Sequence, residues 1–271
     1  MKLGYCLGLI MLTLLTKVNG DEDLFWNFQS TRWNLVWEDN FEGVDGSKPK
    51  ASNWEILDCK RRNNPDGPDG YWCSDDAYIE DNKLVLRVRK REDNNFSSGA
   101  IRTKGIHEWL YGRFEIKCKL PTEQGWWVAF WMMQGNVGSV GNGGVDGSEV
   151  DILEAFGWNN IINHAIHWDG YGTFHQSISK RDDVKGIHDE YHTYAMEWSP
   201  KEYIFFIDDV EVWRTAGEEG TCNQPGYVKI TGECSTLNWA TNSRWALDPR
   251  QANYPDYFYV DWVKVYQLSD K

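Results

Sequence analysis

Gly147-Ser148-Glu149-Val150-Asp151-Ile152-Leu153-Glu154-Ala155-Phe156 is a strand-favouring run in which three acids interrupt apolar residues. Side chains alternate between faces along a strand, so Glu149 and Asp151 share one face while Val150 and Ile152 share the other. Glu154 has the wrong parity. A single bulge at Ile152-Leu153 would return it to the face of the first two acids and line one surface with three carboxylates. An ordinary half-exposed strand also alternates apolar and charged residues, and on that reading the acids are only a solvated face. The setting favours chemistry. Gly125-Trp126-Trp127-Val128-Ala129-Phe130-Trp131-Met132-Met133 lies upstream and His164-Ala165-Ile166-His167-Trp168-Asp169-Gly170 downstream, so aromatic rings crowd both sides of the acids. Two carboxyl groups held across a sugar, one protonating the leaving oxygen and the other attacking or activating water, are the common machinery of glycoside hydrolysis.

Outward from that stretch the chain reads as all-β. Short strand-like segments such as Asn34-Leu35-Val36-Trp37 and Lys83-Leu84-Val85-Leu86-Arg87-Val88 are broken by Gly, Asn, Asp and Pro, with no long helical periodicity between them. Tyr203 to Trp213 reads as a hairpin with Asp208-Asp209 at its turn. These strands predict a β-sandwich jelly roll, two curved antiparallel sheets with a concave cleft that suits internal cleavage of an extended polysaccharide. Alternation puts Trp127, Ala129 and Trp131 on one face, where the two rings serve either as a sugar platform or as core; Trp126 falls on the other face. His164 and His167 fall on opposite faces, which argues against a shared metal site. Gly135 to Gly147 is Gly-rich but lacks the Lys-Ser/Thr ending of a phosphate loop.

Residues 1–20 read as a secretory signal peptide, with Lys2, an apolar run from Leu7 to Leu15, and small residues at Val18-Asn19-Gly20. Residues 21–271 then form a single catalytic domain, secreted and extracellular, and no later segment reaches the ~20 apolar residues of a membrane span. The net charge is −13, or −15 once Lys2 and Lys17 leave with the leader, which excludes nucleic acid as a natural partner. The expected partner is a polysaccharide, met by a monomer. Of six cysteines Cys6 lies in the leader. Cys59 and Cys73 flank one turn-rich loop and Cys222 and Cys234 another, so two disulfides are expected there. Cys118 alternates with Phe114, Ile116 and Leu120 as a buried thiol. Asn95-Phe96-Ser97 is an N-glycosylation sequon in a segment, Asn94 to Gly99, that reads as a surface loop.

The Glu-x-Asp-x-x-Glu motif resembles the bulged signature of glycoside hydrolase family 16, in its laminarinase-like branch. Tyr111-Gly112-Arg113-Phe114-Glu115-Ile116-Lys117-Cys118-Lys119-Leu120-Pro121 is similar to that family's strand before the Trp segment, and Val260-Asp261-Trp262-Val263-Lys264-Val265-Tyr266 to its closing strand. The resemblance implies a retaining endo-β-glycosidase that needs no cofactor for catalysis. It implies Glu149 as nucleophile, Asp151 as the group that orients it and Glu154 as general acid/base, with Trp127, Trp131, His167 and Trp168 contacting sugar. A structural calcium at Asp261 is a further implication, with Asn40 in Trp37-Glu38-Asp39-Asn40-Phe41 standing where the family has Glu. β-1,3-Glucan is the leading substrate. Yet Ser74-Asp75-Asp76 and Thr231-Gly232-Glu233-Cys234 depart from the laminarinase pattern, and His167-Trp168-Asp169-Gly170-Tyr171-Gly172 looks closer to relatives acting on galactose-containing chains. A β-galactanase and a non-catalytic glucan-binding protein are the alternatives.

Overall fold

Alternating apolar residues become strands throughout the computed structural model, which describes residues 33–63, 68–157, 159–215, 217, 220–234 and 247–269. The leader expected at 1–20 lies outside these residues. In chain order the strands are β1 (Trp33–Asp39), β2 (Glu55–Ile56), β3 (Cys59–Arg62), β4 (Gly70–Trp72), β5 (Ala77–Glu80), β6 (Lys83–Lys90), β7 (Phe96–Ser98), β8 (Ala100–Arg102) and β9 (Gly112–Lys119). They continue as β10 (Trp126–Gly135), β11 (Gly147–Phe156), β12 (Ile161–Trp168), β13 (Gln176–Asp183), β14 (His192–Trp198), β15 (Tyr203–Ile207), β16 (Val210–Arg214), β17 (Gly226–Cys234) and β18 (Asp256–Leu268). No α-helix occurs among the described residues.

Two sheets result. One has 11 strands ordered β16-β15-β14-β9-β18-β6-β7-β4-β3, with β1 on β18 and β5 on β6; the other has 7, ordered β13-β12-β11-β10-β17-β8-β2. Their inner faces meet in one core, where Phe114, Ile116 and Cys118 of β9 lie in the same cluster as Val128, Phe130 and Met132 of β10 and Val150, Ile152 and Leu153 of β11. Fully burying each such aliphatic or aromatic side chain stabilises the fold by roughly 1.5–3 kcal/mol. The outer face of the 7-stranded sheet is therefore free to carry polar groups, and β11 lies beside its central strand, β10.

The expected hairpin is β15–β16. Its two-residue loop holds Asp208 at φ 48° and Asp209 at φ 62°, the left-handed pair that a type I′ turn requires. Cys118 is fully buried, as its parity implies. Asn94 to Gly99, read as a loop, instead contains β7. Phe96 is drawn into a second apolar cluster with Val88 and Trp126, while Asn95 sits half-buried at the strand's start with Oδ1 accepting from the Asp69 amide at 2.9 Å.

Both expected disulfides are corrected, because Cys59, Cys73, Cys222 and Cys234 are all free thiols. Cys59 lies opposite Trp72 in the β3–β4 ladder, and Cys73 follows Trp72 in extended conformation (φ −131°, ψ 128°), so the Cys73 side chain points to the opposite face. Cys222 packs in the main core whereas Cys234 packs with Val88, Phe96 and Trp126. The expected calcium site at Asp261 does not fit either. Asp261 Oδ2 is 3.0 Å from Lys117 Nζ, so an ammonium already holds the carboxylate, and Asn40 brings no charge.

Candidate active site

The bulge forms where the parity of Glu154 demanded it. On the β10 side Trp131 pairs with Asp151 and Phe130 with Leu153, leaving Ile152 as the extra residue; on the β12 side Asp151 pairs with Ala165 and Glu154 with Asn163. Glu149, Asp151 and Glu154 consequently stand opposite Met133, Trp131 and Ala129, three successive residues on one face of β10. An extra residue takes its backbone groups off the ladder, and buried carbonyls need donors. His164 supplies one from the core side, its Nδ1 donating to the Ile152 carbonyl at 2.7 Å. Burial lowers the His164 pKa to about 4, against the pull of that hydrogen bond, so the ring is neutral.

The acids line a cleft of 880 Å³ together with Trp127, Trp131, His167 and Tyr171. Glu149 is partly exposed, and the Tyr171 hydroxyl donates to its Oε2 at 2.5 Å. Asp151 is almost buried and lies 3.4 Å from His167 Nε2. Glu154 is equally buried, with Asn163 Nδ2 donating to its Oε2 at 2.5 Å. Asn163 is in turn oriented by Arg181 Nε, which donates to its Oδ1 at 3.3 Å. Desolvation drives the Asp151 carboxyl well above the ordinary carboxylate range, reinforced by the negative charge of Glu149 and opposed by Lys229. Desolvation likewise holds Glu154 well above its usual value, with Asp151 adding repulsion and the Asn163 hydrogen bond opposing it. One face thus offers an accessible carboxylate beside buried carboxyls that retain protons, the division of labour that acid-assisted displacement needs.

On the far side of Asp151, His167 Nδ1 and His175 Nε2 lie 2.9 Å apart with their rings stacked, so one nitrogen donates to the other. Burial and the neighbouring His167 lower the His175 pKa, which favours a neutral ring there. The oxygen and nitrogen atoms of Glu149, Asp151 and His167 converge within 4.8 Å of one another. A cation could be held by that set, but it would occupy the carboxylate that Tyr171 presents to the cleft.

Trp127, Trp131 and His167 all line the cleft, where the family resemblance put them. Trp131 is hemmed in. Its Nε1 donates to Thr231 Oγ1 at 3.1 Å and the Lys229 ammonium sits 3.6 Å from its ring centroid, so the half-buried Trp127 is the more open platform. Trp168 is corrected: it is buried in the core, because it follows His167 on β12 and alternation turns it inward. Sequence reasoning missed Tyr171, Asn163, His175, Arg61, Arg62, Lys229 and Glu233. Parity carried a signal for Asn163, which shares a strand face with Ala165 and His167, and for Lys229, Thr231 and Glu233, which alternate along β17. Tyr171 and His175 stand on a connection with no periodicity to read.

Residues 67–264 match the sequence model of glycosyl hydrolases family 16. The chain is 26% identical over 269 residues to a β-glucanase of Rhodothermus marinus, covering 88% of this chain and 87% of that one. It is 31% identical over 224 residues to a glucan endo-1,3-β-glucosidase of Cryptopygus antarcticus, covering 74% of this chain and 78% of that one. It is also 26% identical to the clotting factor G alpha subunit of Tachypleus tridentatus, of which it spans only 34%. Among solved structures, the laminarinase from Flavobacterium sp. UMI-01 superposes with a TM-score of 0.68 at 25% identity, covering 86% of this chain and 100% of that one.

Proposed function

The chain belongs to glycosyl hydrolases family 16, and on that footing we propose that it cuts internal β-glycosidic bonds of a polysaccharide with retention of configuration, β-1,3-glucan being the leading substrate. The observation that carries this reading is the bulge at Ile152, which puts Glu149, Asp151 and Glu154 on one cleft-lining face. Glu154, kept protonated by burial, gives its proton to the glycosidic oxygen as the bond from that oxygen to C1 breaks. Glu149 forms the ester bond to C1 from the opposite face. Water then attacks C1, Glu154 takes its proton, and the ester bond breaks to return the Glu149 carboxylate. Asp151 sits on the rung between the two and orients them. Glu149 and Glu154 stand opposite residues four apart on β10, a Cα spacing of ~13 Å, so their side chains have to lean towards Asp151 to reach the ~5–5.5 Å of a retaining pair.

Retention is read directly by proton NMR of the first-formed product, where initial α-product from a β-linked chain overturns Glu149 as nucleophile. Reducing-end release from laminarin, mixed-linkage glucan, agarose and keratan chains reads the substrate. Binding without cleavage of any of them supports a recognition protein instead. A β-linked galactan is the second substrate reading, favoured by the galactanase-like segment His167 to Gly172, which places Tyr171 against Glu149. Secretion with removal of residues 1–20, a glycan on Asn95 and a monomeric state belong to the same reading. No helix among the described residues is long and apolar enough to cross a membrane. The mature N-terminus and glycan, by peptide mapping, and the mass in solution test these points.

A further inference from the structure

The side of the cleft away from Tyr171 carries a charge pattern that hydrolysis does not use. Lys229 of β17 is 7% exposed and lines the cleft, and its ammonium has neither a hydrogen bond nor an ion pair with any described residue. Its ammonium lies 3.6 Å from the Trp131 ring centroid and 5.2 Å from that of Trp72. Cation–π contact offsets only part of what an ammonium loses on leaving water. The acid on the same strand face is committed elsewhere: Glu233 receives Arg61 Nε on Oε1 and Arg62 Nε on Oε2, each at 2.8 Å, while Glu149 and Asp151 act on the ammonium without pairing with it. Arg61 also lies over Trp72, 4.7 Å from the ring centroid. Lys229, Arg61 and Arg62 thus outnumber Glu233 on this wall of the cleft, facing the acids of β11 across β10, in a chain whose net charge is −13. Surface lysines of an acidic protein are expected to meet acids; this one is turned inward, between two indoles, into the groove.

Resting on the glycosidase reading above, we infer that Lys229, Arg61 and Arg62 form a subsite for an anionic substituent, a sulfate ester or a carboxylate, borne by a sugar of the chain being cut. A neutral glucan is recognised through hydroxyls, which need no cationic cluster. An oxyanion between Lys229 and the two guanidinium groups would gain charge-assisted hydrogen bonds and give Lys229 the counter-charge it lacks. Burial accordingly lowers the Lys229 pKa to about 8 in the free cleft, helped by Arg61 and opposed by Glu233 and Glu149. The subsite lies close to the chemistry. Lys229 and Asp151 are both paired with Trp131, one on each side of β10, so their strands are separated by ~10 Å across the sheet. The substituent would therefore sit near the scissile bond, where its contacts set which bond is cut.

Matched polysaccharides that differ only in the anion test this: β-1,3-glucan against its sulfated and its carboxymethylated forms, and keratan sulfate against desulfated keratan. On at least one backbone the charged chain should exceed its neutral partner in kcat/KM by about 10- to 100-fold, with the preference falling as salt rises. The sulfated and carboxymethylated arms tell the two oxyanions apart. Lys229→Met and, separately, Arg61→Gln should collapse the charged-to-neutral ratio towards one. Equal or better cleavage of every neutral chain overturns the subsite, as does a ratio that survives both substitutions. If no chain at all is cut, the glycosidase reading fails. The same matched pairs are then compared by calorimetric binding to the wild-type chain, where equal affinity for charged and neutral forms overturns the subsite independently.

Discussion

β11 and β17 are the two neighbours of β10, and towards the same cleft β11 turns three acids whereas β17 turns one lysine and one glutamate that two arginines hold. β17 keeps an unbroken register against β10, so Tyr227, Lys229, Thr231 and Glu233 reach the cleft by simple alternation. β11 carries an extra residue, and only through it does Glu154 join Glu149 and Asp151. Burial acts on both strands in the direction that removes charge: it raises Asp151 and Glu154 and lowers Lys229. The outcomes differ because of company. The acids of β11 repel one another, so protons stay where a leaving oxygen needs one. Lys229 and the arginines beside it also repel, opposed by Glu233 and Glu149, and no proton is placed for the leaving oxygen.

The strongest break of the β11 side is Glu149→Gln, which removes the proposed nucleophile. Turnover should fall by at least about 10⁴-fold in a stopped reducing-end assay, with the far-ultraviolet dichroism unchanged. Glu154→Gln should lose about 10²–10⁴-fold on natural chains and far less on aryl glycosides whose leaving groups need no proton. Similar losses on both substrates would remove Glu154 from the acid role.

Asp151→Asn comes next, with a rate loss of about 10–100-fold and unchanged stereochemistry. It also has a sign in stability. The folded-state pKa of Asp151 is raised, so the stability present below the unfolded value, ~3.9, is lost as pH climbs through the folded value. The Asn variant escapes that loss. Its Tm relative to wild type should rise between pH 4 and pH 8 in scanning calorimetry; a constant offset would mean that the carboxyl is not held protonated.

The smallest effect at neutral pH is expected of His164→Gln, in which an amide can still donate to the Ile152 carbonyl. The His164 pKa is depressed from 6.5 to about 4, so the unfolded chain binds more protons between those values and wild-type stability falls on acidification. The loss approaches about 3 kcal/mol by pH 4. A variant whose acid limb in urea unfolding parallels that of wild type would show that His164 does not titrate there.

Much of this architecture is legible in the amino-acid order, because a sandwich strand advertises its two faces. The parity of Glu149, Asp151 and Glu154 located the bulge, and the parity of Trp127 and Trp131 put the two rings on one face without saying whether it was cleft or core. Parity also assigns Trp168 inward, but the pull of an aromatic beside His167 concealed it. Lys229 alternates with Tyr227 and Thr231 along β17, while Arg61 and Arg62 are adjacent on β3 and show no alternation. They passed as solvated surface because charge in sequence carries no record of whether an ammonium lies between two indoles. The free thiols escaped for a related reason: proximity along the chain says nothing of the face on which Cys73 emerges. Tyr171 depended on a loop, where Asp169 at φ 59° and Gly170 at φ 75° turn the chain back over the cleft.

That loop has a consequence for timing. The Tyr171 hydroxyl bonds Oε2 of Glu149, and a hydrogen bond to a carboxylate makes it a poorer attacker but a better leaving group. In the proposed double displacement Glu149 plays the first part and then the second, so Tyr171 would slow formation of the glycosyl ester and hasten its breakdown. Tyr171→Phe should invert that balance, seen as a larger burst of leaving group in rapid mixing; an unchanged burst would deny the phenol this part.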